Sequence, residues 1–229
     1  MKIKKLKIML DKNVLVDIKF DIYSSLALVG QSGSGKSLTL KALLGMLPAK
    51  MSSQIEVDAG FELKVGQDIS FVPQNPFTAL SPLTKIRKQF FVDEVKLQKL
   101  FKQVDLDISL LDRFAPELSG GQLQRVVIAM ALEHDPKLIL LDEPTTALDP
   151  KSRVLILDLL KDLQKEYGFK MLFVTHDISS AKVICDDICV LKNGKIVESG
   201  EMQSVLDAPQ QSYTKTLIEA NFANRNFRK

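Results

Sequence analysis

Gly30 to Ser37 read GQSGSGKS, and no other stretch restricts the fold of this chain as tightly. The preceding SLALVG, Ser25 to Gly30, is short and almost wholly apolar, the pattern of a strand buried on both faces. Beyond the loop, Leu40, Leu43, Leu44 and Leu47 fall at i, i+3, i+4 and i+7 and make one stripe of a helix. Strand, glycine-rich loop and helix in that order are the context that G-x-x-x-x-G-K-S requires, and the match has no mismatch. Its glycines let successive backbone N–H groups curl inward around an anion, and the helix start adds about half a positive charge. In that setting Lys36 holds β and γ phosphates, and the Ser37 hydroxyl is offered to magnesium, a cation that prefers oxygen ligands.

Around this loop strands and helices alternate. Val14, Val16, Ile18, Phe20 and Ile22 recur every second residue as one buried strand face, and the Lys12-Asn13 corner predicts an antiparallel hairpin with the first ten residues at an edge. Asp68 to Val72, Leu138 to Asp142 and the KMLFVT run read as further strands. Leu97, Leu100, Phe101 and Val104, then Leu123, Val126, Val127 and Met130, mark a helical insert near residues 84–130. Asp149-Pro150 caps a helix with Ile156, Leu159, Leu160 and Leu163 inward, which Gly168 ends. Asn193-Gly194 is a hairpin turn, and Tyr213 to Phe222 a terminal helix. The fold class is α/β over one domain, 1–229, with a C-terminal helix and tail from about 205 to 229.

Composition removes several partners. Thirty-one Lys plus Arg against 28 Asp plus Glu leave +3, too little for the basic surface that duplex binding needs, so no nucleic-acid partner is expected. The longest apolar run, Val126 to Leu132, is far short of the roughly 20 residues that span a bilayer, and the basic N-terminus lacks the apolar core of a secretory signal. A cytosolic chain is expected. Cys185 and Cys189 stand four apart with no other Cys or His nearby and read as buried thiols.

Further chemistry lies at the ends of the predicted strands. Asp142 and Glu143 end LILLDEP; on a strand they face opposite sides, one toward a magnesium shell and the other toward an attacking water, with Pro144 keeping Glu143 extended. Ser119, Gly120, Gly121 and Gln122 open a helix whose hydroxyl and N–H groups form a second anion-receptive start. His176 follows a strand and precedes the helix that Asp177 caps, where an imidazole would contact a γ-phosphate or orient water. Gln74 carries an amide whose oxygen suits magnesium or water. His134 is assigned no role.

The order GQSGSGKS, Gln74, LSGGQ, LILLDEP, TALD and TH resembles the ATP-binding subunit of ABC transporters over about residues 3–222. The resemblance implies a P-loop NTPase core, a mainly parallel sheet flanked by helices, with an antiparallel β subdomain and a helical signature subdomain. It implies ATP and Mg2+ as cofactors. Gly30, Gln31, Ser32, Gly33, Ser34, Gly35, Lys36 and Ser37 then form the phosphate loop, Leu38 joins them in binding the nucleotide, and Ser37, Gln74 and Asp142 form the magnesium side. Glu143 is the general base, His176 the switch histidine, and Gln74 and Lys36 assist catalysis. Asp149 communicates between subunits, and Ser119, Gly120, Gly121 and Gln122 reach ATP held on a second ATPase subunit, a copy of this chain or a paralogue.

VPQNPFTALSP and APQQSYTKTLIEANF resemble the peptide and nickel importer group. That implies two transmembrane permease subunits on separate chains, an extracytoplasmic substrate-binding protein acting indirectly, and a peripheral place on the cytoplasmic face of the membrane. Phe77 and Leu80 are docking candidates for the permeases, or else core residues. Three departures stand out: Met9 and Leu10 replace the aromatic ring often found under adenine, the region between Leu47 and Gln74 is short, and no Cys-rich extension follows Phe222, so an appended regulatory domain is not expected. A soluble ABC-type ATPase acting on nucleic acid or ribosomes, and a small-molecule P-loop kinase, are the alternative functions; LSGGQ has no task in the kinase.

Overall fold

The structure, a computed structural model, describes residues 1–223. In chain order the elements are β1 (Lys2–Leu10), β2 (Asn13–Asp21), β3 (Ser25–Val29), α1 (Lys36–Leu43), β4 (Met51–Asp58), β5 (Ile69–Val72), α2 (Glu94–Gln103) and α3 (Gly120–Ala131). There follow β6 (Leu138–Asp142), α4 (Pro150–Tyr167), β7 (Lys170–Thr175), α5 (Ile178–Ile184), β8 (Asp187–Lys192), β9 (Lys195–Glu201), α6 (Met202–Asp207) and α7 (Ser212–Ala223). The tail of the expected C-terminal segment lies outside the described residues. The chain divides into two compact units, one of residues 1–63 and 170–229, the other of residues 64–169.

In the first unit β3 lies between β7 and β8, parallel to both, and β9 returns antiparallel to β8 through the Asn193-Gly194 turn, where both residues have positive φ. Every residue of β3 is buried, as its unbroken apolar run requires. A separate three-stranded antiparallel sheet has the order β2-β1-β4. Only one strand of the opening hairpin, β2, is an edge: β1 is the middle strand. Periodicity missed its third member, because β4 reads MSSQIEVD and none of its residues is fully buried. Val14 also departs from the expected face, being 50% exposed where Val16, Ile18, Phe20 and Ile22 are buried.

The leucine stripe after the phosphate loop outruns its helix. α1 stops at Leu43 because Gly45, at φ +67°, donates to Ala42 O while Met46 N donates to Lys41 O, a Schellman closure that leaves Leu47 outside.

The second unit is built on the parallel pair β5 and β6 with α2, α3 and α4. Leu97, Leu100, Phe101 and Val104 are buried as their spacing predicts, with Phe90 meeting Phe101 edge to face at 5.8 Å between ring centroids. Asp149 caps α4, Pro150 is its first residue, and Gly168 ends it in the left-handed region. The inward face of α4 is Ile156, Leu157, Leu160 and Leu163; Leu159 is only half-buried, since an 18-residue helix turns its 3.6-residue stripe steadily and Leu157 takes its place. Leu80, 5% exposed, is a core residue and is removed from the docking candidates, whereas Phe77 is 52% exposed.

Candidate functional site

The phosphate loop of the first unit is held open by contacts that admit only glycine at key points. A Cβ on Gly30 would lie 2.3 Å from Leu191 O, and one on Gly35 2.8 Å from Val16 Cγ2, with Gly35 itself at φ +111°. The β8–β9 turn braces the loop: Gly194 N donates to Ser34 O at 2.9 Å, and Asp17 N donates to Gly194 O at 2.8 Å. The Lys36 ammonium is 7% exposed and donates to Gly30 O at 2.7 Å and Gln31 O at 3.1 Å. Those carbonyls hold a cation in place where phosphate oxygens would otherwise compete for it. The buried Ser34 hydroxyl has no hydrogen-bond partner among the described residues, an orphan that an anion in the loop would satisfy. The loop therefore fits phosphate. Ser37 is exposed and Leu38 half-buried in the first turn of α1, while Gln31, Ser32 and Gly33 are exposed.

Gln31 has a partner that sequence reasoning missed. Its N–H donates to the Tyr213 hydroxyl at 3.2 Å, and the Lys192 ammonium sits 4.7 Å from the centroid of the Tyr213 ring. His176 is exposed immediately after β7, and Asp177 caps α5 by accepting from Ser179 N at 3.0 Å. Burial works to raise the Asp177 carboxyl, but the hydroxyls and N–H groups of Ser179 and Ser180 outweigh it and hold it below the usual carboxylate range.

In the second unit β6 delivers Asp142 and Glu143, both half-buried. The expectation for Glu143 is corrected: it is not extended but lies at φ +46°, in the left-handed region, despite preceding Pro144. The reason is a turn closed by Thr146 N donating to Glu143 O at 3.1 Å, just beyond the last β5–β6 pair, Val72 with Leu141. Such backbone strain concentrates where a side chain must be aimed. The aim is set by Gln74 Nε2 at 3.4 Å and Thr146 Oγ1 at 3.1 Å, both on Glu143 Oε2. Thr146 carried no signal beyond its place in the run after Glu143.

Ser119 caps α3 in a reciprocal box: its hydroxyl accepts from Gln122 N at 3.3 Å while Gln122 Oε1 accepts from Ser119 N at 2.9 Å. A Cβ on Gly121 would lie 3.3 Å from Ser152 Oγ, so Gly121 lets the starts of α3 and α4 meet; one on Gly120 would make ordinary contact with Leu148. Asp149 accepts from Lys151 N at 3.0 Å and Ser152 N at 3.1 Å, and its bonds to Ser152 first of all hold its carboxyl below the usual range.

Among the described residues no group of three or more His, Cys, Asp or Glu side chains is placed to hold a metal alone, and no helix is long and apolar enough to cross a membrane. Gln74 and Asp142 of the second unit carry oxygen donors of the kind magnesium prefers, and Ser37 of the first unit carries a hydroxyl of the same kind. Cys185 and Cys189 are buried free thiols; burial pushes Cys185 well up and Cys189 to about 12, as inert thiols require.

The ABC transporter family model matches residues 15–146, and the chain belongs to that family. The class so defined is the ATP-binding cassette. Among individual proteins, the chain is 38% identical to the peptidoglycan transport ATP-binding protein YejF of Agrobacterium fabrum over 91% of its own length and 44% of that relative's. It is 33% identical to the metal-staphylopine import system ATP-binding protein CntD of Staphylococcus aureus, covering 91% of this chain and 87% of the relative. The oligopeptide transport ATP-binding protein OppD of Bacillus subtilis is 34% identical over 89% of this chain and 64% of its own length. The chain thus spans less than half of the first of these relatives and most of the second. A dimeric post-hydrolysis structure of the ATP-binding cassette MJ0796 bound to ADP and Pi matches with a TM-score of 0.69 and 28% identity, covering 88% of this chain and 98% of that one.

Proposed function

We propose that this chain is the ATPase subunit of an importer for oligopeptides, dipeptides or nickel, peripheral to the cytoplasmic face of the membrane. Two transmembrane permease subunits and a second ATPase subunit, identical or paralogous, complete the complex, and an extracytoplasmic substrate-binding protein supplies the cargo. The observation that carries this reading is the agreement of relatives named for peptidoglycan, oligopeptide and metal-staphylopine transport with the motif order GQSGSGKS, Gln74, LSGGQ, LILLDEP and His176 in this chain.

In this reading the N–H groups between Gly30 and Leu38 bind the phosphates of ATP, and Lys36 leaves its own loop's carbonyls for the β and γ oxygens. Ser37, Gln74 and Asp142 hold magnesium, which when bound neutralises phosphate charge. Glu143, aimed by Gln74 and Thr146, takes a proton from the attacking water; His176 addresses the γ-phosphate; and catalysis is mainly positioning and charge stabilisation. Ser119, Gly120, Gly121 and Gln122 exchange their mutual capping bonds for phosphate on the second subunit, with Asp149 beside them at the start of α4. Phe77 is the residue offered to the permeases.

The test is uptake of nickel and of a labelled dipeptide by cells whose only copy of the gene encodes Lys36→Ala. Loss of one uptake assigns the cargo. Wild-type uptake of both would overturn the proposed cargo range.

A further inference from the structure

α7 touches both loops that the reading above assigns to nucleotide within the first unit. At its start Tyr213 accepts the Gln31 N–H of the phosphate loop. Two turns on, Asn221 Oδ1 accepts from Ile178 N at 3.1 Å, two residues after His176, while Asn221 Nδ2 donates to Leu217 O at 3.0 Å and is thereby fixed to its own helix. The entry to α7 is fixed as well: Glu198 of β9 accepts from Gln210 N at 2.7 Å and Gln211 N at 3.1 Å. Thr214 and Leu217, on the inner face between the two contacts, are buried. A packed helix transmits displacement from end to end because its backbone bonds make it stiff along its axis.

We propose that α7 is a strap joining the phosphate loop to the His176 segment, with Tyr213 and Asn221 as positioning residues. The inference rests on the reading of both loops as nucleotide contacts. Ligand in the phosphate loop shifts or stiffens Gln31, Tyr213 carries this into α7, and Asn221 passes it to the N–H that opens α5. Occupancy of the loop thereby sets the position of the histidine in the same chain, before any second subunit closes.

Amide hydrogen exchange of the full chain, with and without ADP, tests this. In the wild type ADP should slow exchange at residues 28–37 and also at 176–182. In Tyr213→Phe, which removes only the hydroxyl, slowing should persist at 28–37 but fall by roughly three- to tenfold at 176–182. Asn221→Leu should give the same loss, and Asn221→Asp, which keeps the acceptor, should restore it. Protection at 176–182 retained in both Tyr213→Phe and Asn221→Leu would overturn the strap. The nucleotide-free comparison separates this from the functional reading: a strap predicts faster exchange at both segments in Tyr213→Phe even if ADP does not bind, and unchanged exchange there would equally overturn it.

Discussion

Thr146 donates its hydroxyl to Glu143 Oε2 at 3.1 Å, the same oxygen that the Gln74 amide reaches at 3.4 Å, so one edge of the carboxylate is fixed by two donors from different parts of the second unit. Two donors on one oxygen fix the plane of the carboxylate, which is what a general base needs if it is to meet its proton in line.

Glu143→Gln should keep ATP affinity within about twofold and lower turnover by about 10²-fold or more, since the amide preserves shape but accepts no proton. Phosphate release measured beside fluorescent-nucleotide titration decides it; wild-type turnover would remove Glu143 from the role of base. Thr146→Val should lower kcat by roughly three- to tenfold with KM little changed, because it loosens aim without touching nucleotide.

The left-handed backbone of Glu143 gives a separate expectation. Glu143→Gly should be more stable to urea than Glu143→Ala by about 1 kcal/mol, because glycine occupies φ +46° without a Cβ penalty. Equal midpoints would mean that the turn relaxes when the glutamate is removed.

Gly194→Ala should be severely disruptive. The new Cβ would sit 1.9 Å from Leu15 O at a residue with φ +73°, and the Gly194 N–H to Ser34 O bond braces the phosphate loop. A loss of roughly 2 kcal/mol or more in stability, together with weaker ADP binding, is expected by thermal melting and calorimetry.

Ser119→Arg should abolish turnover by the assembled ATPase while mononucleotide binding to the isolated chain survives, because in the proposed function the phosphate it serves belongs to the second subunit. About 1 kcal/mol of stability should also be lost with the cap of α3. Binding lost in a folded monomer would contradict an action across subunits.

Asp177 should make stability depend on pH. Its carboxyl is held below its ordinary value of 3.8 in the folded chain, so its contribution is fully present above that pH and is lost as pH falls through the lower folded value. The urea midpoints of wild type and Asp177→Asn should therefore differ most near neutrality and converge as pH falls below 3.8 and through the lower folded value. A constant gap would place the role of Asp177 in shape rather than charge.

Sequence alone determined whatever depends on a few neighbouring residues. The phosphate loop between a buried strand and a helix, the Asp149-Pro150 start of α4, the Gly168 stop, the Asn193-Gly194 turn and the Ser119–Gln122 box are short-range matters of backbone freedom and local hydrogen bonding, and each was legible. Even the early end of α1 had its signal in Gly45. Tertiary structure decided what depends on residues far apart in the chain. Gln74 meets Glu143 across 69 residues and Gln31 meets Tyr213 across 182, separations that no local pattern encodes. Burial of Leu80 beside exposed Phe77, the place of β1 between β2 and β4, and the left-handed Glu143 before a proline that favours extension were settled likewise. Packing and turn closure can impose on a residue a conformation that its own preferences oppose, whereas local propensities amount to about 1 kcal/mol per residue or less.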